Sequence, residues 1–276
     1  LKGKGRLSAA AASLAAILAT VSLLAAAGCG HRSLSREEAL EWVSRAYANM
    51  AAAGGYRYRA EVSYDFPDLD EATRVRLAAA IPPSLSMEGE VLQSQGDYRQ
   101  HAVGHSGGER LELYVVNGIS YRRLGDGEWT ATDMSAWRLN VSGLYFISPE
   151  EFRDMLGFAG DTRVVEDAPQ RLVIAFDVQG DYLASSLERA RSSNPPEDEE
   201  AYRSLLTAME EAGIEVTTYI YRSNGHLERQ DVTLRLEDVP LLGTVVIEMR
   251  SFFSSYGEEV RIELPPEAEK AAPARG

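Results

Sequence analysis

The chain of 276 residues contains a single cysteine, Cys29. An internal disulfide needs two, so the fold rests on core burial alone. Basic residues are also scarce. Lys and Arg number 28 against 42 Asp and Glu, a formal charge of −14. Such a chain repels nucleic-acid phosphates and anionic lipid headgroups. Nucleic acid is therefore not an expected partner, and membrane attachment cannot come from a basic patch. No Gly-x-Ser-x-Gly turn, phosphate loop or dinucleotide fingerprint is present. There are 4 histidines. His101 and His105 lie four apart in a strand-like segment and share a face. Without a third ligand at a recognisable spacing they read as an exposed polar pair in RQHAVGHSGGE. His31 and His226 read as linker and turn residues. The sequence thus assigns no metal, no cofactor and no catalytic residue, and the chain is not read as an enzyme. Asn140-Val141-Ser142 matches a glycosylation acceptor, read here as accidental.

Long apolar runs are absent but for one, residues 7 to 29, which carries no charged side chain. Lys2, Lys4 and Arg6 precede it, and no acid does. A basic start, an apolar stretch and then small residues is the layout of a secretory signal peptide. The run is also long enough for a transmembrane helix. Its ending, Ala26-Ala27-Gly28-Cys29, resembles the lipobox of bacterial lipoproteins, with Ala26 where that motif usually has Leu. The resemblance implies a signal peptide over 1–28, cleavage after Gly28, and acylation of Cys29 on sulfur. One acyl chain binds a membrane only marginally, whereas two anchor it stably. A diacylglyceryl group, with chains such as palmitate, supplies two. The rest of the chain would then sit on the extracytoplasmic face of a bacterial cell membrane, on a tether over 29–34. An uncleaved signal anchor is the alternative, with the same topology.

Beyond the tether the pattern alternates between helical and strand periods. Residues 35–53 read as a helix: Ser35 and Glu38 form a capping box, and Leu40, Val43, Tyr47 and Met50 share a face. YRYRAEVSY then alternates with period two, as a half-buried strand does. A short helix is expected within 70–80. Strand-like segments follow at 86–94, 97–105, 110–117, 119–124 and 128–133. Asn117-Gly118 and Gly125-Asp126-Gly127 mark turns between them, so an antiparallel meander is expected. SPEEFRDMLGF is a capped helix. RVVED and RLVIAFDV form a hairpin. Residues 181–212 read as a helical insertion broken at Asn194-Pro195-Pro196. IEVTTYIY, HLERQDVTLRL, TVVIEMRSFF and VRIEL read as closing strands. The tail over 267–276 is expected to be disordered.

This order resembles the LolA-like half-barrel lipoproteins: the LolA carrier, LppX/LprG-type lipid carriers and the RseB sensor. The stretch GIEVTTYIYRSNGHLERQDVTLRL carries the likeness best, with VRIELPPEA behind it. The resemblance covers roughly residues 35–266. It implies an α+β domain in which one strongly curved antiparallel sheet, an unclosed half-barrel, has helices over its concave face. It also implies lipid or acyl chains held between sheet and helices. Candidate lining residues are Tyr58, Ala60 and Val62 on the first strand, with Val91, Leu113 and Val115 on the meander. Leu172, Ile174 and Phe176 follow, then Val216, Ile220, Leu234 and Ile247. For each, ordinary core packing is the favoured role over lining a cavity. Trp137, Tyr145, Phe146, Phe152, Leu156 and Phe158 form an aromatic stretch readable as a lid or as a core-covering helix face. The expected function is binding of a hydrophobic ligand, a lipid or acyl chain, for carriage or presentation. The alternative is a ligand-free sensor or adaptor that binds an envelope protein through a sheet edge or the acidic insertion.

Overall fold

A computed structural model describes residues 34–78, 83–94, 97–133, 149–193, 199–271 and 273–274. Gly28, Cys29, Trp137, Asn140, Tyr145 and Phe146 lie outside the described residues. The chain divides after Ser35, and the fold is that of the unit from Arg36 onward. Among the described residues no helix is long and apolar enough to cross a membrane.

Helix α1 (Arg36–Ala52) buries Ala39, Val43, Ala46, Tyr47 and Met50, the stripe that a 3.6-residue period places on one side. Strand β1 (Gly55–Asp65) follows. Helix α2 (Glu71–Ala78) is capped by Asp70, whose Oδ1 accepts from Thr73 N at 3.0 Å. The meander is β2 (Ser84–Ser94), β3 (Asp97–Ser106), β4 (Glu109–Val116), β5 (Ile119–Leu124) and β6 (Thr130–Asp133). Asn117 and Gly118 both have positive φ, 51° and 83°, as the expected two-residue turn between β4 and β5 requires. Next come α3 (Pro149–Leu156), β7 (Ala159–Asp167) and β8 (Arg171–Val178). The insertion is two helices, α4 (Asp181–Ser193) and α5 (Glu199–Glu210). Three long strands close the sheet: β9 (Gly213–Tyr221), β10 (Leu227–Val239) and β11 (Gly243–Ser254). A turn of helix, α6 (Pro266–Glu269), and β12 (Pro273–Ala274) end the chain.

All the strands form one sheet in the order β12-β6-β5-β4-β3-β2-β1-β11-β10-β9-β8-β7. Every pairing is antiparallel except β12 on β6. The outermost strands β7 and β12 are not paired with each other, so the sheet is an unclosed half-barrel, with helices on its inner face. The meander and the hairpins stand as the turn signals place them.

Two expectations need correction. VRIEL is not a strand: the chain from 258 to 265 joins no ladder. It runs over the outer face, where Val260 and Ile262 pack on Tyr114 beside Leu92, Tyr121 and Trp129. Arg99 Nη1 holds its backbone by donating to Ile262 O at 3.3 Å. Alternation in VRIEL reports which side is buried, and a buried side does not require a ladder partner. The tail departs from expected disorder as well. Ala268 is buried in α6, and Pro273–Ala274 pairs with Ala131 and Thr132.

The rest of the outer face is charged. Glu112 is its most enclosed acid, 8% exposed. It accepts from Arg110 Nη1 at 2.9 Å and Arg123 Nη2 at 2.8 Å, with His101 Nε2 at 3.5 Å. Burial pushes its carboxyl up, but the Arg123 and Arg110 guanidiniums outweigh burial and hold it below the usual range. A depressed carboxyl contributes stability above its unfolded pKa and loses it as pH falls through the folded value. Glu112→Gln is therefore expected to cost on the order of 1–2 kcal/mol at neutral pH. The deficit should shrink below about pH 4. Urea unfolding of both proteins across that range checks it.

Candidate functional site on the inner face

Register decides which side chains share a face. Tyr58 lies opposite Phe253 and Gly89, Ala60 opposite Ser251 and Met87, and Val62 opposite Met249 and Leu85. Through Gly89↔Ala102↔Leu113 and Val91↔Gln100↔Val115 the same face continues across β3 and β4. On the other side it runs through Leu234↔Ile247 and Gln230↔Ser251 into β10. It goes on through Val232↔Val216↔Phe176 and Thr218↔Ile174, and Leu172 stands opposite Ile220. Every lining residue expected from the sequence falls on this one face. All are buried except Leu234 and Ile247, which are half-buried.

From β8 across β9, β10, β11 and β1 to β2 and β3, the paired positions on this face carry no charged side chain. Their partners one residue along, such as Arg59, Glu88, Arg229 and Asp231, point the other way. Such a face can bury uncharged surface and repels ions, which would have to shed their water there.

Helix α1 covers the middle of the face. Tyr47 is its fully buried anchor, stacked on Phe152 of α3 with centroids 4.9 Å apart and planes at 9°. Its hydroxyl donates to Gln230 Oε1 at 3.1 Å. Gln230 stands between Thr218 and Ser251 in one cross-strand row, and all three are buried. Nearby, Gln100 Nε2 donates to the Tyr58 hydroxyl, and Tyr98 donates to Gln100 Oε1 at 3.2 Å. Gly89 is required beneath the Tyr58 ring: a Cβ there would meet His101 O at 2.4 Å and the ring at 2.8 Å. Burial pushes the Tyr47 and Tyr58 hydroxyls well above the usual tyrosine range. Both therefore stay neutral at every physiological pH.

Cover is thinner part-way along β10 and β11, while Leu236 and Val245, nearer the turn, are buried again. Val232, Leu234, Ile247 and Met249 are all only half-buried. Sequence reading picked out Leu234 and Ile247 and passed over Val232 and Met249, although the same alternation would have found them.

The described part of the aromatic stretch packs on helices. Phe152 lies against Tyr47, and the Phe158 ring sits 5.6 Å from that of Tyr182. Leu156 is half-buried. His101 and His105 share the outer face with different neighbours: His101 stacks on Tyr114 at 4.3 Å, and His105 is exposed opposite Arg110. An open groove of about 770 Å³ crosses β2, β1, β11 and β10, lined by Glu61, Ser86, His105, Asp231 and Arg250 of the outer face and also by Val62, Leu85, Val232 and Met249.

No family model and no curated protein matches the sequence. Among solved structures the chain is similar to a LolA superfamily protein from Nitrosomonas europaea. The TM-score is 0.30 at 8% identity, over 83% of this chain and 96% of that one. It is also similar to MucB, solved in complex with MucA(peri), with TM-score 0.35 at 13% identity. That match covers 83% of this chain and 60% of MucB. The likeness to both is one of fold.

Proposed function

We propose that this chain is a lipoprotein, tethered through acylated Cys29 to the extracytoplasmic side of a bacterial membrane, whose half-barrel binds a lipid or acyl chain. It carries that ligand or presents it at the membrane surface, and it performs no chemistry on it. The observation that carries the reading is the uncharged inner face with its half-buried apolar strip. Val232, Leu234, Ile247 and Met249 form a half-buried apolar strip. Sites for apolar ligands have this character: mostly apolar walls and a few fixed polar groups, here Gln230 and Ser251.

The test is organic extraction and mass spectrometry of the protein purified from its own membrane. One lipid per chain is expected. Leu234→Trp puts bulk into the half-buried strip without disturbing the fully buried core. It should lower the lipid recovered by roughly twofold or more while leaving Cys29-dependent localisation intact.

The outer-face side of the groove favours a second reading, a ligand-free adaptor. Its mixed charges, Glu61, Asp231 and Arg250 among them, suit an extended peptide from a partner protein. Recovery of no stoichiometric lipid, with undiminished stability after extraction, would decide for the adaptor.

A further inference from the structure

The hairpin of β10 and β11 outruns its neighbours. The two strands pair out to Val239↔Gly243. Strand β9 stops at Arg235 of β10, and β1 stops at Val246 of β11. The hairpin ladder thus runs past both by about 10 Å, at some 3.4 Å per residue, and the loop after β1 meets it there, Asp68 Oδ2 accepting from Thr244 N at 2.7 Å. Its tip is Pro240-Leu241-Leu242. Leu241 is 98% exposed and has a φ of 69°. That left-handed conformation is unfavourable for a bulky L residue and easy for Gly or Asn. A large apolar side chain therefore stands where it gains no burial from this fold and where its own backbone is strained. Strain of this kind persists where function needs it.

The position of the tip adds to the argument. Arg36, the first residue of α1, donates to Ala159 O at 2.8 Å and Gly160 O at 3.2 Å, at the start of β7. Ala159 pairs with Val178, Val178 with Ile214, and Ile214 with Leu234. The helix to which the tether leads therefore begins at the end of the sheet from which the hairpin projects. Cys29 lies seven residues before Arg36, a reach of at most about 24 Å. The half-buried strip of Leu234 and Ile247 lies toward that same end, with the buried pair Leu236 and Val245 between it and the tip.

We propose that the Pro240-Leu241-Leu242 tip inserts into the acyl layer of the membrane that holds the anchor. Insertion turns this end of the inner face, with its half-buried strip, toward the lipid surface. This rests on the reading of Cys29 as acylated and extends it. The partner is a phospholipid bilayer, met through neutral apolar surface. Glu237 and Asp238 lead into the tip, so zwitterionic headgroups suit it better than anionic ones. Two leucines are too little to hold the protein at a membrane by themselves. They orient a molecule that is already tethered.

The test uses the full protein purified from its own membrane and reconstituted into phosphatidylcholine vesicles, after weighing its N-terminus. In Leu241→Cys protein the acyl group caps Cys29, so the introduced thiol alone takes an environment-sensitive fluorophore. The same label is placed by Asn224→Cys in the turn between β9 and β10, at the opposite end of the sheet. A quencher buried in the lipid should quench the label at 241 severalfold more than the label at 224. Equal quenching on a chain whose acyl mass is present overturns tip insertion and leaves the anchor standing. A chain without the acyl mass overturns both. Leu241→Asn, which suits the left-handed turn, should keep or raise the melting temperature, and a fall would mean that Leu241 serves the fold instead.

Discussion

At about pH 11 the fold is expected to be about 4 kcal/mol less stable than at neutral pH, a loss set by buried tyrosines. Burial holds the hydroxyls of Tyr47, Tyr58 and Tyr256 well above the ordinary tyrosine range. Each is also engaged where it lies. Tyr47 donates to Gln230, Tyr58 accepts from Gln100, and Tyr256 donates to Leu227 O at 2.7 Å. The sign follows from linkage. A group whose folded pKa is raised contributes its full stability below the unfolded pKa, near 10 for tyrosine. Above that value the unfolded chain ionises and the folded one does not. Each such group then removes about 1.4 kcal/mol per pH unit. Against a typical total of about 5–15 kcal/mol, the three together remove a large share of the stability. Urea titrations at rising pH check this, with tyrosinate absorbance followed alongside. The absorbance of these tyrosines should appear with unfolding and not before it. Tyr256→Phe should make the alkaline slope shallower by one proton. An unfolding midpoint unchanged at high pH would contradict the burial on which the inner-face description rests.

Much of this arrangement was legible in the sequence, because period-two alternation is a direct record of one-sided burial. Tyr56, Tyr58, Ala60 and Val62 had to share a face once β1 was a strand, and the turn residues set where the chain reversed. Asn117-Gly118 announced its own positive φ angles. The inner face followed from the same pattern, strand by strand. What alternation does not record is the identity of the partner. Val260, Ile262 and Leu264 alternate as a strand would, yet the surface they bury against is Tyr114, Tyr121 and Trp129 rather than a helix-covered core. Pairings within a face were equally hidden. Arg59 over Phe252 at 4.6 Å and Arg229 over Tyr219 at 4.7 Å depend on register between distant segments. The tip at Leu241 reads in sequence as an ordinary turn. Its exposure and its φ exist only once β10 and β11 are seen to outrun β9 and β1.

Truncating Tyr47 to alanine should cost about 3–5 kcal/mol, a large share of the whole. The ring is fully buried between α3 and the sheet, so its removal leaves a cavity that rigid strands beneath it cannot close. Two smaller variants divide the loss. Tyr47→Phe keeps the stack on Phe152 and removes only the bond to Gln230, at about 1–2 kcal/mol. Phe152→Ala removes the stack from the other side. Combined with Tyr47→Ala it should cost less than the two separate losses, by about 0.5–1.5 kcal/mol, because both delete the same contact. Urea unfolding of these four variants beside the parent measures all three terms. The same series reaches function, since α1 is seated through Tyr47 on the row that holds Thr218, Gln230 and Ser251. If α1 is a fixed cover, Tyr47→Phe leaves the recovered lipid unchanged and lowers only stability. If ligand entry requires α1 to lift, loosening its buried hydrogen bond to the sheet should raise the rate at which added lipid is taken up, while the amount bound at saturation stays the same.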